Sequence, residues 1–87
     1  MYAVVVKVTI NDPEAAGTAL REQVVPQVSQ APGFVAGYWT WKDNSGLSMA
    51  VFDSEEAAEA VGDRVRGMIP AAVVLESVEV REVVANA

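Results

Sequence analysis

Two places in this chain announce the start of a helix, and the stretches around them are β-branched or aromatic. At Asn11-Asp12-Pro13-Glu14 the Asp12 carboxylate can accept from the orphan amides of a first turn, and Pro13 suits the first helical position because it has no N–H to lose. At Asp53-Ser54-Glu55-Glu56 either Asp53 or Ser54 serves as cap, with acidic residues in the first turn, where the helix dipole favours negative charge. Ahead of the first start, Tyr2 to Ile10 (YAVVVKVTI) places its polar residues Lys7 and Thr9 two apart, which is strand spacing. Between the two starts, Phe34 to Lys42 (FVAGYWTWK) and Leu47 to Asp53 flank the turn-forming Asp43-Asn44-Ser45-Gly46 and read as a hairpin. After the second, Val73 to Val84 resumes a strand, with Glu76, Glu79, Arg81 and Glu82 interspersed as protection of a sheet edge rather than as a metal site.

The first helix spans roughly residues 13–30, with Ala16, Ala19, Leu20, Val24 and Val28 as its apolar stripe. Pro26 removes one hydrogen bond and is expected to kink or tighten the helix, and Ala31-Pro32-Gly33 ends it. The second covers about residues 54–68, weakened by Gly62 and Gly67, with Pro70 at the exit. The order is βαββαβ in a single domain, residues 1–87. Its economical solution is a four-stranded antiparallel sheet with both helices on one face, the ferredoxin-like α+β arrangement.

Composition removes whole classes of chemistry. There is no cysteine and no histidine, which excludes disulfides, thiolate catalysis, Ser-His-Asp triads, the usual zinc sites and a histidine-ligated haem. A formal charge of −6 repels phosphate, so neither nucleic acid nor an anionic membrane surface is an expected partner. The longest apolar stretch, Met68 to Leu75, is far short of the ~20 residues of a bilayer span and contains Pro70. No basic segment precedes the first apolar run, so a cytoplasmic protein is expected.

Two helices cover one side of a sheet, yet the strands read as apolar on both. Val4, Val6 and Val8 alternate with Ala3 and Val5, while Val78 and Val80 alternate with Val73, Leu75 and Val83. Leaving about ten such side chains wet forgoes ~15–30 kcal/mol as an upper bound, more than the ~5–15 kcal/mol stability of a whole domain. A second copy offering the same surface about a two-fold axis is the simplest cover, so a homodimer is expected.

Ala31-Pro32-Gly33-Phe34-Val35 and Phe52-Asp53-Ser54-Glu55-Glu56-Ala57-Ala58 resemble short blocks of the antibiotic biosynthesis monooxygenase (ABM) superfamily. The resemblance covers the chain as an order of elements and implies a dimeric α+β barrel with a small cleft between helices and sheet in each subunit. Some members use that cleft for cofactor-independent oxygenation of aromatic polyketides and others for haem degradation. Phe52 stands where catalytic members commonly carry a tryptophan, which keeps an apolar wall and loses the indole N–H. Residues 54–68 contain no histidine to match the iron ligand of the haem-degrading members.

With a four-residue loop, Trp41 opposes Ser48, Trp39 opposes Ala50 and Gly37 opposes Phe52. Trp39, Trp41 and Phe52 then share one face and Tyr38, Met49 and Val51 the other. The tryptophans read either as core or as a flat wall for a planar organic ligand; Trp39, Trp41, Phe52 and Tyr38 are the candidate ligand-binding residues, and no cofactor is called for. Tyr2 and Tyr38 offer phenols, and Arg21, Arg64 and Arg66 can hold a carboxylate or phenolate, although solvated ion pairing explains the arginines as well. Glu55 and Glu56 are adjacent on a helix and point about 100° apart, so capping rather than paired acid–base chemistry accounts for them. Asn44 is explained by its turn. A binding module for a small apolar or aromatic molecule, a cofactor-independent monooxygenase positioned by Trp39, Trp41 and Tyr38, and a purely structural assembly protein remain the three readings.

Overall fold

The computed structural model describes residues 1–87. Its elements are β1 (Tyr2–Ile10), α1 (Pro13–Ala19), a π-helical turn (Leu20–Val24), α2 (Val25–Ser29), β2 (Phe34–Lys42), β3 (Ser45–Phe52), α3 (Glu55–Val65) and β4 (Val73–Glu82). The strands form one sheet in the order β2-β3-β1-β4, every neighbouring pair antiparallel. Asp12 caps α1 by accepting from the Ala15 amide at 3.2 Å, and Ser54, not Asp53, caps α3 by accepting from the Ala57 amide at 3.2 Å. Val28 of α2 and Ala58, Val61 and Val65 of α3 bury themselves with Val4, Ala50 and Phe52, so both helical arms cover the same side of the sheet. Phe52 sits at the centre, wholly inaccessible, with Phe34 edge-on at 5.8 Å. No helix is long and apolar enough to cross a membrane.

The disturbance expected at Pro26 lies one turn earlier. Pro26 has no N–H to give to the Glu22 carbonyl, and the chain accommodates this by widening: the Val25 amide bonds back five residues to the Leu20 carbonyl. The result is a π turn between two short α segments rather than a sharp kink.

The expected hairpin register is corrected by two residues. Lys42 pairs directly with Ser45, so the turn is Asp43-Asn44 alone, with Asp43 at φ 55°, a left-handed conformation that Asp tolerates. Trp41 therefore opposes Gly46, Trp39 opposes Ser48, Gly37 opposes Ala50, and a bulge at Val35 brings Phe34 opposite Phe52. A slip of two preserves side-chain parity, so the division of faces is unchanged.

The uncovered face differs from its expected composition. Lys7 pairs with Ser77 but Val8 pairs with Leu75, leaving Glu76 as an extra residue whose carboxylate accepts from the Thr9 hydroxyl at 2.8 Å. The bulge turns Leu75 and Val73 to the helix side, opposite Val8 and Ile10, so they do not belong to the open face as their alternation suggested. On β4 that face carries Val74, Ser77, Glu79 and Arg81. Its apolar half lies over β1, β2 and β3, where Tyr38, Leu47 and Met49 are 68%, 51% and 44% exposed beside Val5 and Val51. The solvated ion pairs expected of Arg21, Arg64 and Arg66 are not formed; the one ion pair joins Arg81 and Glu79.

Candidate functional site

A cleft of about 90 Å³ opens between the helical layer and the sheet. That is room for several water molecules, the scale of one aromatic ring. Its sheet side is built by side chains from alternate positions: Val6 and Val8 of β1, Trp39 and Trp41 of β2, and Gly46 and Ser48 of β3. Cross-strand pairing explains how the wall accommodates two indoles. Each tryptophan pairs across the ladder with a residue that has little or no side chain, Trp39 with Ser48 and Trp41 with Gly46; the Trp41 indole lies against Gly46, while the Trp39 ring folds back over Gly37 on its own strand. A Cβ on Gly46 would lie 2.7 Å from Val8 Cγ2 and 3.3 Å from Trp41 Cδ1, so the missing side chain is what lets Val8 and Trp41 close over this position of the wall.

The helical side comes from Ala16 of α1, Leu20 and Val24 of the π turn, and Val28 of α2, while Met68, Ile69 and Val73 close the end between α3 and β4. Leu20 and Val24 bracket the widened turn, so the π geometry sets how this wall faces the tryptophans. No side chain on the walls is titratable. The polar groups available there are the Ser48 hydroxyl and the indole N–H groups, which can orient a ligand by hydrogen bonding but cannot hold a proton or a metal.

The four candidate residues do not converge. Trp39 and Trp41 line the cleft, the first half-buried against the core cluster and the second 44% exposed at the rim. Phe52 is sealed in the core and is not a wall residue. Tyr38 projects from the opposite face of the sheet, paired with Met49. Tyr2 faces the helices and packs on the core cluster. Glu55 and Glu56 stand in the first turn of the Ser54-capped helix. Arg64 near the end of α3 and Arg66 just after it are exposed, whereas Arg21 and Trp41 both stand next to buried Gly17. The wall residues missed from the sequence are those whose side depends on long-range geometry: Val73, turned inward by the Glu76 bulge, and Met68 and Ile69 in an irregular segment. Leu20 and Val24 were visible as a helix stripe, and Pro26 was the available signal that their turn is irregular.

No protein-family model matches the chain, and no curated protein matches it in sequence. Among solved structures it is similar to a dimeric ferredoxin-like protein from an uncultured marine organism, with a TM-score of 0.60, 11% identity, and coverage of 100% of this chain and 98% of that one. The sheet order, the two helical arms on one face and this likeness together make the chain a ferredoxin-like α+β protein.

Proposed function

We propose that this chain is a dimeric α+β barrel protein that binds a small apolar or aromatic molecule in the cleft between its helices and sheet. The observation that carries the binding reading is the pair of indoles, Trp39 and Trp41, paired across the ladder with the small residues Ser48 and Gly46 and lining an otherwise aliphatic wall. Flat faces, ring-sized room and a few orienting donors suit a planar ligand. The test follows the two indole N–H resonances of labelled protein during titration with single-ring aromatic compounds. Both resonances are expected to shift with a common saturation curve, and Trp39→Ala is expected to abolish binding. An unchanged curve in that variant refutes the assignment of the site.

Assembly is supported by the apolar half of the open sheet face, centred on Tyr38, Leu47 and Met49, and by the dimeric state described for the marine protein. Two copies meeting through this patch about a two-fold axis would bury these side chains against their own counterparts. Sedimentation is expected to give a dimer, and Met49→Lys, which places like charges together at such an interface, is expected to give a monomer of 9.2 kDa. A wild-type monomer at micromolar concentration refutes the assembly.

The alternative reading is a cofactor-independent monooxygenase acting on an aromatic or polyketide substrate. Its support is the resemblance of Ala31–Val35 and Phe52–Ala58 to the ABM superfamily. With no titratable group on the walls, the protein's part in such a reaction is positioning, with the substrate itself supplying electrons to dioxygen. Oxygen uptake with electron-rich anthrone-like or hydroquinone substrates decides it; rates equal to the uncatalysed ones in every case remove this reading.

A further inference from the structure

Arg21 lies outside the cleft walls but on the same patch of helix as the exposed edge of Trp41, a wall residue. Arg21 lies in the π turn, one helical turn after Gly17 on the same side. Its guanidinium Nη2 is 3.2 Å from the point where a Cβ on Gly17 would sit, and Trp41 Cη2 is 3.3 Å from that same point. Gly17 is buried beneath the two. The missing Cβ is therefore what lets the guanidinium and the outer edge of a cleft-wall indole both settle against the helix at Gly17. Like Arg64 and Arg66, Arg21 has no carboxylate within ion-pairing distance, so its guanidinium is free to take a ligand; the one ion pair joins Arg81 and Glu79.

Resting on the cleft-binding reading above, we infer that the ligand is an aromatic acid: its ring enters between Trp41 and the helical wall, and its carboxylate is held by Arg21 at the mouth. The remaining chemistry fits that orientation. The interior walls are mostly aliphatic and carry no cation to balance an anion's charge, so a carboxylate is better placed outside, where the guanidinium fork matches it and not a neutral tip. The protein as a whole carries a formal charge of −6 and repels anions at long range. A preference for an anionic ligand therefore has to come from a local cation, which makes it diagnostic of Arg21.

The test compares two probes of nearly the same shape, 4-methylbenzoate and its neutral counterpart 4-methylbenzamide, at low salt, read from the indole N–H resonances of both tryptophans. Wild type is expected to bind the benzoate about tenfold more tightly than the amide, the order expected for a hydrogen bond to a charged partner. Arg21→Gln is expected to erase that ratio while leaving the amide's affinity unchanged, which also shows that the variant is folded. Arg81→Gln, which removes the same charge from the far side of the sheet, is expected to leave the ratio intact. Equal affinities in wild type, or a preference for the benzoate that survives in Arg21→Gln, overturn this inference and leave the cleft reading standing. Failure of both probes to move either indole resonance overturns the cleft reading and this inference with it.

Discussion

Replacing Gly37 by alanine tests directly how Trp39 is held in the cleft wall. Gly37 pairs with Ala50 in the hairpin, and Trp39, two residues on and on the same face, folds its six-membered ring back over it. A Cβ at position 37 would lie 2.8 Å from both Cζ3 and Cη2 of Trp39 and 3.3 Å from Phe34 Cε1. The first two distances are inside van der Waals contact. The obstructing atoms belong to a rigid bicyclic ring packed on the core cluster, not to the free end of a flexible side chain. The backbone itself does not demand glycine, because Gly33 is the one glycine with positive φ. Alanine then gains ~0.5–1 kcal/mol over glycine in strand conformation but costs ~1–3 kcal/mol in overpacking, a net loss of up to ~2.5 kcal/mol. With a urea slope of ~1 kcal/mol/M for a domain of this size, the midpoint should fall by up to ~2.5 M. All variants are compared at one protein concentration so that assembly contributes equally. In a Trp39→Leu background the obstruction is gone, and Gly37→Ala should become neutral or slightly stabilising; the difference between the two backgrounds is the coupling energy. A stabilising Gly37→Ala in wild type, or the same loss with and without Trp39, refutes this account of the wall.

Other substitutions probe the frame around the cleft. Gly33→Ala combines a φ of 84° with a Cβ that would stand 2.5 Å from Asp53 Oδ1, and should cost at least ~1–3 kcal/mol, seen as a lowered thermal midpoint. Ser54→Ala removes the acceptor for the Ala57 amide and should cost ~0.5–2 kcal/mol, with amide exchange accelerated in the first turn of α3. Phe52→Ala empties the most enclosed position of the core and should cost ~3–5 kcal/mol in urea unfolding, a large share of the ~5–15 kcal/mol typical of a domain.

The absence of titratable groups from the cleft narrows what the protein can contribute to any reaction there. The walls can exclude water, present aromatic faces and orient a ligand through the Ser48 hydroxyl or an indole N–H. No charged side chain lines the cleft; Arg21 lies outside it, where Arg21 and Trp41 both stand next to Gly17 although the three are separated by up to 24 positions in the chain. Gly17 and Arg21 are one turn apart on a helical arm; Trp41 arrives through the sheet.

Local chemistry made much of the molecule legible from the chain alone. The caps at Asp12 and Ser54, the β-branched runs and the stop at Ala31-Pro32-Gly33 determine the kind and order of the elements, because each acts through neighbours a few residues away. Side-chain parity in the hairpin was equally readable, since a register error of two residues returns every side chain to its own face. What the tertiary structure alone decided are quantities set by partners far along the chain. Whether Asp43-Asn44 or a longer loop turns the hairpin depends on how β2 and β3 lock together; that Val73 and Leu75 face inward depends on Glu76 being squeezed out of pairing with β1. Phe52 and Trp39 share a face, yet only packing distinguishes the residue that is sealed from the one that lines a cleft: the helices close over the Phe52 end of the sheet, while a cleft lined by the π turn, Gly46 and Ser48 remains at the other. Alternation along a strand states which side a residue takes, and the density of the layer above it states whether anything else can fit there.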